Sequence, residues 1–204
     1  MSYLKIAQHY DDCFKKHGDT HLGVDWPNLD DTFKRYQVMI EAIKEDSIVS
    51  LLDFGCGTAE LNSYIKKNNI DKIEYSGLDI NESFYKASIS KFPKNTFYLL
   101  DILKNDNLPL FDYIVCNGTF TEKKDLSQEE MSDFFMSVTK KIWNKCRKGI
   151  AFNLMSKHVD WERDDLFHVS LDWLGWFLKD NLSRNFVIKN DYGLYEYTVY
   201  VYKK

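Results

Sequence analysis

The residues best suited to chemistry stand in the stretch SLLDFGCGTAEL, where an acid and two glycines follow a short apolar run. A glycine-rich turn between a strand and a helix lets the backbone approach a ligand closely, because a side chain there would collide with it. The dinucleotide fingerprint G-x-G-x-x-G would need a third glycine where Glu60 stands, and a glutamate there would repel a diphosphate. The phosphate loop G-x-x-x-x-G-K-[ST] is missing from the sequence. The turn is therefore poorly suited to a diphosphate.

A different cofactor fits this turn. Asp53, Gly55, Gly57 and Ala59 resemble the D-x-G-x-G-x-G motif of class I S-adenosylmethionine-dependent methyltransferases, with an alanine in place of the third glycine. The resemblance implies S-adenosyl-L-methionine as the cofactor, whose methionine half carries an amino and a carboxylate group but no phosphate. A carboxylate just before the glycines suits such a cationic ligand.

Three later strand ends agree with the same family. Asp79 closes IEYSGLDI, where the family has an acid that accepts hydrogen bonds from the ribose hydroxyls, although NAD enzymes place an acid similarly. The pair Asp101 and Ile102 resembles the family's adenine site, and Asn117 falls where its fourth motif borders both cofactor and acceptor. The resemblance thus assigns cofactor binding to ten residues: Asp53, Gly55, Cys56, Gly57, Asp79, Ile80, Asp101, Ile102, Asn117 and Gly118.

Two irregular segments are candidates for the acceptor site. The first is HGDTHLGVDWPN, in which we expect His21 to be catalytic and His17 and Trp26 to bind substrate, because functional residues often lie on such loops. A surface turn anchored by its tryptophan is the alternative. His17 and His21 have the spacing of metal ligands on a helix, but Gly18 and Gly23 argue against a helix there, so no metal site is predicted.

The second segment, SKHVDWERDD, follows the fifth predicted strand and should reach the sheet edge where such folds bind ligands. His158 is the candidate base, and Arg163 the candidate partner for an anionic group. Asn117 is also counted as catalytic, and Tyr192 as a wall of the substrate pocket. The alternatives are a solvated connecting loop and ordinary sheet packing, and His168 is interpreted as a structural residue of the following helix.

A narrower resemblance concerns HGDTHLGVDWPN, LLDFGCG and DYGLYEYTVYVYKK taken together. They are similar to segments of small bacterial methyltransferases of surface polysaccharide synthesis, including ones linked to capsular O-methyl phosphoramidate decoration. This resemblance implies O-methylation of a small acceptor that is anionic or sugar-linked. Lys15, Lys16, Arg35 and Arg163 are the charge partners it suggests.

The elements that position these residues alternate between strand and helix patterns from about residue 48 onward. Such alternation predicts an α/β fold: a doubly wound, mostly parallel seven-stranded sheet with helices on both faces. Two closely spaced strands near the end predict a C-terminal antiparallel hairpin, preceded by a helix over residues 165–182. Ser127 and Glu130 predict a capping box at the start of a long helix.

Length and composition limit the alternatives. A chain of 204 residues with 44% hydrophobic content should form one domain, in which residues 1–47 are a helical cap and residues 48–204 the cofactor-binding core. A net charge of −4 disfavours nucleic acid and membrane partners, so a small-molecule acceptor is expected, with the protein a monomer or homodimer. Four scattered cysteines and no long apolar segment favour the cytoplasm. An NAD-dependent oxidoreductase and a non-catalytic cofactor-binding scaffold remain as alternatives.

Overall fold

A computed structural model describes residues 2–204, so Met1 of the expected cap lies outside the described residues. The strands are β1 Val49–Phe54, β2 Ile73–Asp79, β3 Thr96–Leu99, β4 Phe111–Cys116, β5 Cys146–Ser156, β6 His168–Val169, β7 Phe186–Lys189 and β8 Glu196–Tyr202. The helices are α1 Leu4–His17, α2 Leu29–Ile40, α3 Glu60–Lys67, α4 Glu82–Lys91, α5 Gln128–Trp143 and α6 Leu171–Asn181. A short 3₁₀ helix, His21–Val24, lies between α1 and α2.

The strands form one sheet in the order β3-β2-β1-β4-β5-β8-β7, and the short β6 pairs with the end of β5. The first five strands are parallel, whereas β8 is antiparallel to both β5 and β7. The predicted mostly parallel α/β sheet with antiparallel strands at its C-terminal end is confirmed. The strand order reverses between β1 and β4, and ligands bind at such switch points in doubly wound sheets.

Alternate side chains of the central strands feed two separate cores, one on each face of the sheet. Leu52 of β1 and Ile114 of β4 belong to one core, whereas Leu51 and Val115 belong to the other. Helices α5 and α6 contribute side chains to the first core, and α2 and α3 to the second. Because both faces are covered, these strands are apolar runs and not alternating ones.

The capping box predicted for α5 is present. The Ser127 hydroxyl accepts the Glu130 N–H at 3.1 Å, and the Glu130 carboxylate accepts the Ser127 N–H at 2.9 Å. The helix predicted over residues 165–182 is partly wrong, because α6 begins only at Leu171 and His168 lies in β6. His168 is 4% exposed and accepts the Arg163 N–H at 3.1 Å, so tertiary contacts override the local helical pattern.

Within residues 2–204, no helix is both long enough and apolar enough to cross a membrane.

Candidate functional site

A cavity opens at the carboxyl ends of β1 to β4, where the strand order reverses. It encloses about 1140 Å³ of space, including its mouth. All ten residues that the sequence resemblance assigns to the cofactor line this cavity: Asp53, Gly55, Cys56, Gly57, Asp79, Ile80, Asp101, Ile102, Asn117 and Gly118. They come from four separate strand ends, and the parallel register of the sheet brings them to one edge.

The turn after β1 has the backbone that its glycines suggest. Gly55 has φ 74° and Gly57 φ 54°, in the left-handed region that glycine adopts most readily. A Cβ on Gly55 would lie 2.6 Å from Oγ1 of Thr119, so there is no room for a side chain. Ala59 is also left-handed, with φ 60°, which explains why the resembling motif has a third glycine there. In this chain the alanine adopts the glycine-like conformation, and α3 begins at the next residue.

Two buried carboxylates lie at the base of the cavity. Asp53 is 3% exposed, and burial raises its pKa to about 7. The hydrogen bond that Tyr75 donates at 2.8 Å lowers the pKa, whereas the charge of Asp79 raises it further. Burial also raises the pKa of Asp79 to about 6, although its oxygens accept the N–H groups of Gly57 and Asn81 at 2.9 and 2.8 Å. Neither carboxylate forms an ion pair with any described residue, so a cationic ligand would stabilise both.

A carboxylate just beyond β3 is held in place by the residue that precedes α1. The hydroxyl of Tyr3 donates to Asp101 at 2.7 Å, and the Leu103 N–H donates to the other oxygen at 3.1 Å. The Tyr3 ring stacks on Phe134 with centroids 5.1 Å apart. Sequence reasoning missed Tyr3, because nothing local in the chain links it to a residue 98 positions away.

Several buried polar atoms in the cavity wall have no protein partner among the described residues. They are Oγ1 of Thr58 and both side-chain amide atoms of Asn117. A buried hydrogen-bonding group without a partner costs about 1–3 kcal/mol, so such atoms mark places where a ligand can supply the missing bonds. Together with the two uncompensated carboxylates, this donor and acceptor set fits a polar, cationic nucleoside such as S-adenosylmethionine.

The N-terminal segment closes the cavity from above. Tyr3, which precedes α1, lines it together with Ile6, Ala7 and Tyr10 of α1 and with Trp26 beyond the 3₁₀ helix. A Cβ on Gly118 would lie 3.0 Å from Cζ2 of Trp26, so the indole rests directly on the turn after β4.

A buried network fixes Trp26 to the sheet, and we call it the cap–sheet network: Trp26, Arg35, Asn153, Glu196 and Gly118. The Arg35 guanidinium lies 5.1 Å from the Trp26 ring centroid and binds both oxygens of Glu196 at 2.9 to 3.0 Å. Asn153 donates to Glu196 at 2.9 Å and accepts the Gly118 N–H at 2.8 Å. Sequence reasoning missed Asn153 and Glu196, which sit in strand patterns without a local polar signal.

The remaining acceptor candidates lie away from the cavity: His17, His21, His158, Arg163 and Tyr192. His17 ends α1, and His21 begins the 3₁₀ helix. His158 is exposed in the loop after β5, where Arg163 pairs with Asp165 at 2.5 and 3.0 Å. The Tyr192 hydroxyl bonds to Thr198 at 2.9 Å. The structure brings only Trp26 and Asn117 of the acceptor and catalytic candidates to the cavity, and the roles of the others stay predictions.

Two more of the suggested charge partners form ion pairs outside the cavity. Lys15 pairs with Asp11 at 2.5 Å, and Arg35 is held by Glu196.

Comparisons with known proteins agree with this geometry. Residues 52–138 match the family model described as a methyltransferase domain. Rv1506c of Mycobacterium tuberculosis, itself only provisionally assigned as a methyltransferase, is 26% identical over 158 residues, which cover 76% of this chain and 93% of that protein.

Two solved structures show the same fold at low identity. One is magnesium protoporphyrin IX methyltransferase from Synechocystis PCC 6803, solved with bound S-adenosylmethionine. It superposes with a TM-score of 0.68 at 12% identity, and the alignment covers 100% of this chain and 98% of the methyltransferase chain. The 1,6-didemethyltoxoflavin-N1-methyltransferase of Burkholderia thailandensis has a TM-score of 0.66 at 13% identity, covering 100% and 91%. That structure holds its substrate and S-adenosylhomocysteine.

The strand order, the switch-point cavity and these likenesses define a class I methyltransferase fold. The domain matched at residues 52–138 indicates that the chain is a methyltransferase, and the cofactor such a domain uses is S-adenosylmethionine.

Proposed function

We propose that this protein transfers the methyl group of S-adenosylmethionine to an oxygen of a small acceptor that is anionic or sugar-linked. The observation that supports cofactor binding most directly is that all ten motif residues line one cavity. In this proposal Asp79 binds the ribose hydroxyls, Asp101 and Ile102 hold the adenine, and Asp53 faces the cationic methionine half. Thr58 and Asn117 use their unpartnered atoms to bind the ligand.

The residues that line the cavity favour an acceptor whose nucleophile needs no base. No described histidine or lysine lines it, and its titratable groups are carboxyls, tyrosines and Cys56. A neutral hydroxyl must lose a proton to a nearby base during methylation, whereas a phosphate-like or carboxylate oxygen need not. Because the lining carboxyls are either assigned to the cofactor or paired with a lysine, we assign no base. This chemistry supports the anionic class, and His158 or His21 would have to move to serve as a base.

Bound S-adenosylmethionine supplies an activated methyl group on a sulfonium centre. The chain contributes alignment and exclusion of water, which are the main requirements of an in-line methyl transfer. Trp26 and Tyr10 cover the cavity, and Asn117 and Gly118 border its acceptor side. We propose that residues 1–47 act as a cap and residues 48–204 as the cofactor-binding core of one domain.

The biological setting we propose is bacterial surface polysaccharide synthesis, including capsular phosphoramidate decoration. Its support is the sequence similarity over three segments that include HGDTHLGVDWPN and LLDFGCG. The described part of the cavity lining contains no histidine or lysine, which agrees with a phosphorylated acceptor.

Two experiments test the proposal in sequence. Calorimetry with S-adenosylhomocysteine should show saturable binding, and no binding at millimolar ligand would overturn the cofactor assignment. Transfer of radiolabelled methyl groups should then be measured on a panel of sugar phosphates, phosphoramidates, neutral sugars and amines. Turnover confined to neutral sugars would contradict the anionic acceptor, and binding without any turnover would favour a scaffold role. Saturable binding of a nicotinamide cofactor would instead support an oxidoreductase.

A further inference from the structure

A cluster of three metal-ligand side chains lies outside the cofactor cavity. His9 and Cys13 are four residues apart on α1, which places them on the same face of the helix. Asp25 reaches them from just beyond the 3₁₀ helix. Nε2 of His9 is 2.7 Å from Oδ2 of Asp25 and 3.5 Å from Sγ of Cys13. One ligand atom from each residue lies within 4.8 Å of the other two.

The backbone conformation of Asp25 directs its carboxylate toward the other two residues. Asp25 has φ 57°, a left-handed conformation that a residue other than glycine adopts at a cost. That conformation, at the end of the 3₁₀ helix, turns the carboxylate toward α1. The three residues are half-buried, so solvent and an ion can reach them.

We propose that Nε2 of His9, Sγ of Cys13 and a carboxylate oxygen of Asp25 bind one divalent ion of the zinc class. Imidazole, thiolate and carboxylate are all zinc ligands, whereas the thiolate disfavours calcium and magnesium. Three protein ligands leave one tetrahedral position for water or a small ligand. Coordination releases the thiol proton of Cys13, and the proton of Nε2 when it is there, to solvent.

The distances are close to what such an ion needs. Ligand atoms about 2.0 to 2.3 Å from a tetrahedral metal lie roughly 3.3 to 3.8 Å from one another. The separation between His9 and Cys13, 3.5 Å, already falls in this interval. The separation between His9 and Asp25, 2.7 Å, is that of a hydrogen bond and must widen as the ion replaces the shared proton.

A lysine ammonium that contacts the cluster has a second partner. Nζ of Lys124 lies 3.1 Å from Oδ2 of Asp25, where it competes with an incoming ion. The same ammonium lies 2.7 Å from Oε2 of Glu122, which is mostly buried. Lys124 can therefore pair with Glu122 alone when the ion binds, without becoming an unpaired buried charge.

An ion at this position would connect two parts of the cap that close the cofactor cavity. His9 precedes Tyr10, and Asp25 precedes Trp26, and both of these aromatic residues line the cavity. An ion that binds the folded cap but not the unfolded chain would stabilise the folded cap by mass action. The site is independent of the acceptor, so it can be tested without knowing the substrate.

The test uses the full chain after removal of metal with a chelator. Competition against a zinc indicator should give one Zn²⁺ per chain, and cobalt(II) should give the intense thiolate charge-transfer band and tetrahedral visible bands. Cys13→Ser should abolish the charge-transfer band and weaken Zn²⁺ binding at least about tenfold, the lower end of what even outer-shell partners of a metal contribute. His9→Gln should weaken binding similarly.

The matched control is His158→Gln, because that histidine is exposed and is not one of the three ligand residues. It should bind Zn²⁺ as the unmodified protein does. Circular dichroism and the melting temperature without metal show whether each variant folds, and only the variants that retain the site should gain thermal stability from Zn²⁺. Failure of the unmodified protein to bind, or equal binding by Cys13→Ser, would overturn the proposal.

Discussion

Replacing Arg35 by methionine tests whether the cap–sheet network holds the cap on the cavity. The substitution keeps a long apolar side chain but removes the three nitrogen–oxygen contacts of 2.9 to 3.0 Å to Glu196. The Glu196 side chain is only 2% exposed, and its remaining partner in the network would be Asn153. The variant therefore leaves a buried carboxylate with a single hydrogen bond.

The expected cost is large because the surviving charge cannot reach water. Removing one partner of a buried ion pair typically costs about 3–5 kcal/mol, a large part of the roughly 5–15 kcal/mol that stabilises a domain. Glu196→Gln should cost less, since the Arg35 side chain is 19% exposed and remains partly hydrated. The double variant Arg35→Met/Glu196→Gln should cost less than the sum of the two single changes, because neither buried charge is left.

The assay is urea unfolding followed by circular dichroism and tryptophan fluorescence, with free energies taken only where the two transitions coincide. The Trp26 indole packs on the Arg35 guanidinium, so near-ultraviolet dichroism should also change in the variant. A cost below about 1 kcal/mol for Arg35→Met would place the pair among weak surface salt bridges. That result, or strict additivity of the two changes, would refute the reasoning.

Three further outcomes follow from the cavity. Gly118→Ala should lower the free energy of unfolding by about 1–3 kcal/mol, because φ at Gly118 is 82° and the new Cβ would lie 3.0 Å from the Trp26 ring. As a control, Gly175→Ala in α6 places its Cβ within 4 Å of no described atom, and it should stabilise the protein by about 0.5–1 kcal/mol. Folding raises the pKa of Asp53 from 3.8 to about 7. Between these two pH values the Asp53 carboxyl is therefore protonated in the folded protein and ionised in the unfolded chain. Stability of the ligand-free protein should therefore fall as pH rises from about 4 to 7, by on the order of 4 kcal/mol for this group, and urea titrations of Asp53→Asn should show a flatter profile. Asp79→Asn should weaken S-adenosylhomocysteine binding about 10–100-fold in calorimetry. The control Asp71→Asn, at an exposed position, should bind with the affinity of the unmodified protein. Equal affinities of the two variants would show that Asp79 does not bind the cofactor.

Sequence reasoning located the cavity-lining residues well because each one stands at a strand end. Once the strands are known to be parallel, Asp53, Asp79, Asp101 and Asn117 must all reach the same edge of the sheet. No side-chain geometry beyond strand polarity is needed for that inference. The turn glycines are equally readable, since their positive φ angles are a local property.

The acceptor side was less predictable because it depends on long-range pairing. Arg35 meets Glu196 from 161 positions away, and no local pattern records that pairing. Arg163 does follow β5, as expected, but a carboxylate two residues later binds its guanidinium, so the loop satisfies its own charge. Local composition indicates which residues are available, whereas tertiary packing decides which of them face the cavity.

The charge of the cavity predicts an order of binding for an anionic acceptor. Glu60 is paired with Lys91, and Asp101 with Lys104, but Asp53 and Asp79 form no ion pair with any described residue. Without cofactor, a second anion would enter a site that already holds buried carboxyls. Bound S-adenosylmethionine brings a sulfonium, an ammonium and a carboxylate group, and its net positive charge offsets part of the negative field of the carboxyls.

The acceptor should therefore bind well only after the cofactor. Methyl transfer then removes the sulfonium charge, so the methylated product should be held less tightly on the complex with S-adenosylhomocysteine. Equilibrium binding of an active acceptor should be measured on the free protein, on the complex with S-adenosylhomocysteine and, by rapid mixing, on the complex with S-adenosylmethionine. Affinity should rise in that order, and raising the ionic strength should reduce the difference. Equal affinity in all three states would show that the two buried carboxyls do not act on the acceptor.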